Sequence, residues 1–462
     1  MSNGTTAPRA RRAAMVRYDT LEPAVLDGGF AALAELGFDA VDFPLVWSQH
    51  ERSGGRFDFD AHERGARSIH TAIDAARRAG LGVRVRLGPR CVETEAGFGV
   101  PRSVLDDAAV MARNARRGAV LEPIALVPTA APSLASRAFI ERSCAWIAAA
   151  TRVLGDHGFG TLESITVGAG SFAPLRGDAI TADHHPEAGP LSSDPAERVA
   201  RAERIALGWY DALARAALEA GAPVEKLRCS LIGPRTTAVA GDEIASRFAV
   251  DCALPFASVG TEALWIEVRE AVDSSPLGAR FDVQCGSAPF ARPLRNRDAA
   301  AAARVALAAG ASELTVRYAW CGEGWVGSLL DSKGVVQRVA HRWRALFDEC
   351  ASIAPRAARE GARRTARPAA WLAPVSSAWL AQFGLLDHHE ERADDTLAAL
   401  ELECDAEGAV LARETDEGLV LLSTTTKPAT VRDRRQRWIA SGSHAIEPGA
   451  VSVFRGRSGG AA

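Results

Sequence analysis

The sequence predicts a (β/α)₈ barrel followed by a small antiparallel β-domain. Over about the first 350 residues, short apolar runs rich in β-branched residues alternate with Ala-rich amphipathic stretches. Several of these stretches end at a glycine suited to a left-handed helix cap, including Gly37, Gly80, Gly155, Gly221 and Gly310. Eight such alternations in a chain of this length favour a closed barrel over an open doubly wound sheet.

The predicted elements follow each other regularly along the chain. Eight runs have the length and composition of buried strands, although the sixth is short: Ala14–Val16, Ala40–Val46, Gly82–Leu87, Glu163–Val167, Leu227–Ile232, Ser258–Gly260, Arg280–Cys285 and Glu313–Tyr318. Six intervening stretches have helical periodicity: Glu22–Leu36, His62–Ala79, Ser136–Leu154, Ala196–Ala220, Arg297–Ala309 and Val335–Glu349. Two long segments rich in Gly, Pro and charge, Gly88–Pro132 and Leu175–Pro195, follow the third and fourth strands. Loops in these places build the pockets of barrel enzymes.

Composition changes divide the chain into four parts. Residues 1–13 form a flexible N-terminus, 14–350 the barrel, 351–368 an Arg- and Ala-rich linker and 369–458 the C-terminal β-domain. Four short pieces of this domain are expected to form one antiparallel sheet packed on the barrel: Leu397–Leu402, Val410–Arg413, Leu419–Thr424 and Val451–Phe454.

Composition also excludes several classes of function. The chain has 462 residues, is 47% hydrophobic and carries a net charge of −3, with no apolar run long enough for a membrane span and no secretory signal at its start. Its arginines are dispersed among acids, so we expect no nucleic-acid partner. The eight cysteines form no C-x-x-C pair and indicate a reduced, cytoplasmic protein. Phosphate-binding fingerprints are absent, and neither a cofactor nor a metal is expected, despite Asp183-His184-His185 and His388-His389-Glu390-Glu391.

Residues 37–105 resemble the N-terminal half of glycoside hydrolase family 35, the β-galactosidases. The matching pieces are Gly37-Phe38, Trp47, His50-Glu51, Gly55-Arg56-Phe57-Asp58-Phe59, Ala79-Gly80-Leu81, Gly88-Pro89 and Gly99-Val100-Pro101. Further on, Ala319–Trp325 and Gly327–Phe347 look like the family's barrel-closing segments. The resemblance spans about residues 15–350 in consistent order and implies the same barrel.

The resemblance also implies a retaining mechanism, which needs a nucleophile and an acid/base carboxylate about 5–5.5 Å apart. The family's acid/base position, on the fourth strand, falls on Gly170. Its nucleophile position, on the seventh strand, falls on Gln284, and its substrate-binding Tyr falls on Pro44. Neither glycine nor a glutamine amide supplies this chemistry, so a protein lacking both catalytic carboxylates is expected.

Other residues near predicted strand ends have sugar-binding character, because rings stack on pyranose faces and acids accept hydroxyl hydrogen bonds. The predicted substrate-binding set is Trp47, His50, Glu51, Glu93, Glu95, Gln284, Trp320, Glu323 and Trp325. We expect most of them to surround one pocket at the C-terminal ends of the strands. A structural role is the alternative for each: His50-Glu51 would order a loop, and the two tryptophans after the eighth strand would cap the core. Glu163, at the start of the fourth strand, is expected to be structural.

Three hypotheses of function follow. The first is a catalytically inactive relative of the β-galactosidases that binds carbohydrate or has a structural role. The second is an active glycoside hydrolase whose carboxylates have moved, with Glu93 or Glu95 acting together with Glu323. The third is an interaction scaffold with no sugar ligand, assembled as a homo-oligomer. Function depends on the site and not on the barrel.

Overall fold

The structure of the chain is a computed structural model. It describes residues 9–52, 55–59, 68–92, 95–124, 127–169, 183–231, 241–254, 261–273, 275–287, 296–356, 400, 402–405, 410–415, 418–424, 427–448 and 450–455. Eight parallel strands form a closed barrel in the order β1-β8-β7-β6-β5-β4-β3-β2. They are β1 Arg11–Val16, β2 Ala40–Pro44, β3 Gly82–Arg90, β4 Leu162–Ala169, β5 Leu227–Ser230, β6 Ala249–Ala253, β7 Ala279–Gln284 and β8 Glu313–Trp320. The predicted barrel is confirmed.

A helix follows each barrel strand and covers its outer face. These are α1 Leu26–Glu35, α2 Ile69–Arg78, α3 Arg137–His157, α4 Pro195–Glu219, α5 Gly241–Arg247, α6 Thr261–Asp273, α7 Asn296–Ala309 and α8 Arg338–Glu349. Two single helical turns, Trp47–His50 and Arg102–Leu105, and two short ribbons, Glu51–Arg52 with Arg56–Phe57 and Leu121–Ile124 with Val127–Ala130, lie in the loops after β2 and β3. The apolar core fills the layer between strands and helices. No described helix combines the length and apolar character that a bilayer crossing needs.

The sixth strand lies elsewhere than the sequence suggests. The barrel uses Ala249–Ala253, which pairs with β5 on one side and β7 on the other. Its central Asp251 is fully buried. An acid in the middle of this five-residue run interrupts the apolar pattern from which a buried strand is predicted, which explains why the sequence analysis placed the sixth strand elsewhere. The predicted strand Ser258–Gly260 lies outside the described residues.

The C-terminal part contains two three-stranded antiparallel sheets, where one was expected. Strands β10 Val410–Thr415, β11 Gly418–Ser423 and β14 Val451–Arg455 form the first sheet. Strands β9 Leu402–Cys404, β12 Ala429–Asp433 and β13 Ser443–Ile446 form the second. The predicted piece Leu397–Leu402 therefore does not join the other three: its described end begins β9, in the second sheet. The predicted linker, residues 351–368, is described only to residue 356.

The first of these sheets is buried on both faces. One face, with Leu411, Val420 and Leu422, joins the core of the barrel. The opposite face, with Ala412 and Leu421, packs against the second sheet. Arg413 fixes the contact, because its guanidinium donates to the carbonyls of Ala308, at the end of α7, and of Ala354.

Candidate functional site

The lumen of the barrel is filled with paired charges. Arg86 on β3 contacts Asp42 on β2 at 2.7 Å and Asp282 on β7 at 2.6 Å. Asp282 also faces Arg317 on β8 at 3.4 Å. All four side chains are fully buried. Barrel interiors are usually packed with branched apolar side chains, so this ionic lumen is a specific feature of the chain.

A second part of the network crosses the opposite wall. Asp251 accepts hydrogen bonds from Arg228 at 2.9 Å and from Arg280. Burial alone would raise the pKa of the Asp251 carboxyl, but Arg280 and Arg228 outweigh it and lower that pKa. The pKa of the Asp42 carboxyl is lowered in the same way: burial would raise it, but Arg86 and Arg280 outweigh burial. These carboxylates stay ionised and act as structural counter-ions.

The network continues to the N-terminal end of the barrel, where Arg84 contacts Glu163 at 3.0 Å and Glu313 at 3.2 Å. Burial favours the neutral form of Glu313, but Arg228 and Arg84 lower its pKa. The expected structural role of Glu163 agrees with this contact.

The C-terminal mouth carries a separate ion cluster centred on Arg17. Its guanidinium donates to both carboxylate oxygens of Asp19, at 2.8 and 2.6 Å, and to Glu95 at 2.8 Å. Arg17 is buried, while the side chain of Glu95 is 30% exposed. Because Arg17 directly follows β1 and Glu95 follows β3, the cluster connects two loops across the mouth. Sequence reasoning missed Arg17 and Asp19, although both directly follow the first predicted strand.

Next to this cluster, the part of the mouth at the ends of β8, β1, β2 and β3 has a buried, apolar floor. Side chains from the ends of β8, β1, β2 and β3 pack together there, and all are fully buried: Met15, Val46, Cys91, Val92, Tyr318 and Cys321. Burial raises the pKa of the Cys91 thiol to about 12, against the opposing effect of Arg17 and Arg317. The thiols are therefore protonated packing groups and not nucleophiles.

Tyr318 has an unusual backbone. Its φ of 54° is a left-handed value, which is rare for a bulky residue. Consecutive strand residues normally point to opposite faces. Arg317 and Tyr318 nevertheless both contact groups in the lumen, because β8 bulges between Val316, which pairs with Ala14, and Trp320, which pairs with Val16. Gly286 makes room for the backbone of Tyr318, because a Cβ at Gly286 would lie 2.5 Å from the Tyr318 carbonyl oxygen. Such outliers concentrate at functional sites.

The positions that match the family's carboxylates lie at or just beyond strand ends. Gln284 is the last residue of β7, is half-buried, and its amide donates to the Gly286 carbonyl at 3.0 Å. β4 ends at Ala169, so Gly170 would follow directly, but Gly170 and Glu93 lie outside the described residues. On β4 itself, Gly168 leaves no room for a side chain, because a Cβ would lie 2.5 Å from the Tyr210 ring.

Trp47 and His50 are buried among aromatic side chains instead of lining the mouth. Trp47 stacks on Trp146 of α3 with ring centroids 6.2 Å apart, and His50 stacks on Phe59 at 5.0 Å. The His50 Nδ1 lies 3.0 Å from the Asp58 carbonyl oxygen, and burial lowers the pKa of its imidazole. The alternative interpretation, that this segment orders a loop, describes these contacts. Burial raises the pKa of the half-buried Glu51, while Trp47 and Arg142 oppose the shift.

The residues after β8 separate into two groups. Trp320 is fully buried on the outer side of the barrel: its indole N–H donates to the backbone carbonyl of Asp331 at 2.8 Å and its ring packs on Phe30 of α1. The expectation that Trp320 forms part of a sugar platform is therefore corrected. Glu323 is exposed in a turn, and half-buried Trp325 lies over Tyr318 with centroids 4.7 Å apart. The structure thus brings Glu95, Gln284, Glu323 and Trp325 to the C-terminal end of the barrel.

No cluster of three or more His, Cys, Asp or Glu side chains with the geometry of a metal site occurs in the described part of the chain. Asp183 and His185 have structural partners: Asp183 accepts from Ser133 and from the Arg113 amide, and His185 contacts the Ala109 carbonyl.

Comparison with known proteins shows two kinds of similarity. Residues 7–118 match the profile of the family described as glycosyl hydrolases family 35. A probable β-galactosidase C of Neosartorya fischeri is 45% identical over 69 residues, which are 15% of this chain and 7% of that protein. The corresponding protein of Penicillium rubens is 42% identical over 69 residues, again 7% of its length. The chain therefore matches only a small part of these relatives.

Solved structures resemble the chain in fold. The β-galactosidase of Halorubrum lacusprofundi gives a TM-score of 0.52 at 12% identity, covering 74% of this chain and 58% of that one. The catalytic domain of the β-amylase from Paenibacillus polymyxa gives 0.51 at 9% identity, covering 76% and 100%. At such identities the likeness concerns the fold alone. Together with the sequence match, it identifies a barrel similar to that of glycosyl hydrolase family 35.

Proposed function

We propose that this family-35-like barrel is catalytically inactive and binds carbohydrate at its C-terminal mouth. One observation carries the proposal: β7 ends in Gln284, and the inward-facing carboxylate before it, Asp282, is held by Arg86 and Arg317. A glutamine amide forms no glycosyl ester, and a fully buried, doubly paired Asp282 has no access to an anomeric carbon.

The proposal is also supported by three carboxylates of the described lumen that are unsuited to donate a proton. A general acid needs a pKa raised towards neutrality. Asp42, Asp251 and Glu313 instead have pKa values lowered by the arginines that surround them. They remain ionised at neutral pH and cannot protonate a leaving oxygen.

Carbohydrate binding is supported by the groups that remain accessible at the mouth. Trp325 offers an aromatic surface, and Glu95 and Gln284 offer hydrogen-bonding groups from the ends of two other strands. An aromatic face combined with a few polar groups suits a sugar, whose ring has an apolar face and a polar edge.

The test is an assay of aryl β-galactoside hydrolysis together with calorimetric binding of β-1,4-linked galacto-oligosaccharides. Wild type is expected to show no turnover above a mock purification and to bind the oligosaccharides. Turnover that disappears in Glu95→Gln or Glu323→Gln would overturn the proposal in favour of moved carboxylates. Absence of both turnover and saccharide binding would instead favour an interaction scaffold.

A further inference from the structure

We propose that Arg17 is a positioning residue for the ligand at the mouth: it holds the carboxylate of Glu95 in one orientation, in which this carboxylate accepts a hydrogen bond from a sugar hydroxyl. This inference rests on the proposed carbohydrate-binding function. It adds to that function a buried residue that acts on the ligand through Glu95.

The first step is where Arg17 lies. β1 ends at Val16, and the amide of Arg17 donates to the Trp320 carbonyl at 3.0 Å, so Arg17 continues the pairing of β1 with β8. Side chains alternate along a strand, and Met15, two residues earlier, belongs to the apolar floor at the mouth. Burial raises the pKa of the Cys91 thiol in this floor, and Arg17 opposes the rise. Alternation and charge therefore both place the guanidinium next to the floor.

The second step is how the guanidinium is used. It donates to both oxygens of Asp19, at 2.8 and 2.6 Å, and to Oε1 of Glu95 at 2.8 Å. The side chain of Arg17 is 2% exposed, whereas that of Glu95 is 30% exposed. An ionised carboxylate has about four lone-pair sites. Glu95 is therefore fixed by Arg17 on its buried side and can accept further hydrogen bonds on its exposed side.

The third step is the backbone that carries Glu95. Its amide donates to the Val92 carbonyl at 3.3 Å, and its carbonyl accepts from the Phe98 amide at 2.9 Å. Phe98 has a left-handed φ of 58°, and the centre of its ring lies 4.1 Å from the Arg90 guanidinium. With the backbone turn held in this way, Arg17 fixes the side chain of Glu95 before a ligand arrives. Binding to a side chain that is already ordered loses less entropy.

A double-mutant cycle, read by calorimetric binding of β-1,4-galactopentaose, tests this role. Glu95→Gln removes the charge of the acceptor, Arg17→Met removes the group that orients it, and a third variant carries both changes. Because Arg17 acts through Glu95, each single change is expected to weaken binding about tenfold, and the double variant to bind no more weakly than the weaker single variant. Losses that multiply to about a hundredfold would overturn the inference, since Arg17 would then act independently of Glu95.

Thermal unfolding shows which variants are folded before binding is compared. Arg17→Lys keeps the buried positive charge, but one ammonium cannot hold both Asp19 and Glu95 as the planar fork does, so its affinity is expected to lie between those of wild type and Arg17→Met. It takes the place of Arg17→Met in the cycle if that variant does not fold. The matched control is Arg102→Met, which removes a pair with Asp106 in the same loop, where the two side chains are 90% and 65% exposed. This control is expected to bind as wild type does, and a loss equal to that of Arg17→Met would overturn the inference.

The remaining outcomes separate this inference from the function on which it rests. If wild type binds the pentaose and either Arg17→Met or Glu95→Gln binds it equally well, the inference is overturned and the proposed function stands. If wild type does not bind the pentaose, the proposed function fails and the inference fails with it.

Discussion

Replacing Arg86 by methionine would show how much the ionic lumen contributes to stability. Arg86 bridges Asp42 at 2.7 Å and Asp282 at 2.6 Å, so its loss leaves two buried carboxylates without their main partner. Breaking a buried ion pair costs about 3–5 kcal/mol. We expect the lower end of this range, about 3 kcal/mol, because Arg280 still faces Asp42 at 3.8 Å and Arg317 faces Asp282 at 3.4 Å.

The assay is urea unfolding followed by tryptophan fluorescence, with Arg78→Met as the control. Arg78 pairs with Asp27 at 2.7 Å, but both side chains are more than half exposed, at 60% and 68%. Loss of an exposed pair costs less than about 1 kcal/mol. A loss of similar size in the two variants would refute the view that the lumen pairs are shielded from water.

The pH dependence supplies a second check on the same variant. In wild type the pKa of Asp42 is lowered, so its contribution is present above the unfolded pKa of about 3.9 and is lost as the pH falls through the lower folded value. Without Arg86, burial favours the protonated carboxyl, which then ionises only at higher pH. The stability deficit of Arg86→Met should therefore shrink between pH 7 and pH 4. An unchanged deficit would contradict this cause.

Three further predictions concern the packing around the barrel. Trp47→Ala is expected to destabilise the fold by about 3–5 kcal/mol in urea unfolding, because the ring is buried against Trp146, and a loss below about 1 kcal/mol would contradict that packing. Because burial lowers the pKa of His50, stability should fall as the pH drops below about 6.5, where the unfolded chain takes up the proton first; His50→Phe should flatten this slope between pH 8 and pH 5, and an identical slope would argue against it. Truncation after Ile353 should expose the apolar surface that receives Leu411, Val420 and Leu422 and give insoluble protein, whereas a soluble, folded truncation would show that the C-terminal sheets are an independent module.

The barrel could be predicted because its strands and helices differ locally in hydrophobic period. The ionic lumen could not. Runs such as Val83-Arg84-Val85-Arg86 alternate as a strand with one solvated face does, yet both faces are buried. Arg86 is paired with Asp282, which lies 196 positions away along the chain, so the neighbouring sequence does not indicate the pairing.

The site was predicted only in part for a similar reason. Sequence placed Glu95, Gln284 and Trp325 at strand ends, where the structure also has them. It could not tell on which side of the barrel wall Trp47 and Trp320 lie, and both pack outwards against helices. Tyr318 was missed because its inward orientation depends on a local left-handed backbone that alternation does not predict.

The sheet of β10, β11 and β14 is shared between two cores, and this has a consequence for biosynthesis. Domains generally fold in order as they leave the ribosome. Here β14, whose Val451 amide contacts Glu349 at the end of α8, emerges after all eight barrel strands and after the other described strands of the two sheets. The barrel therefore completes its eight strands while its surface beside α7 is still uncovered. At that stage the nascent chain exposes an apolar surface that favours aggregation. Cells that make this protein in quantity would be expected to depend on chaperones at that stage more than for a barrel without the added sheets.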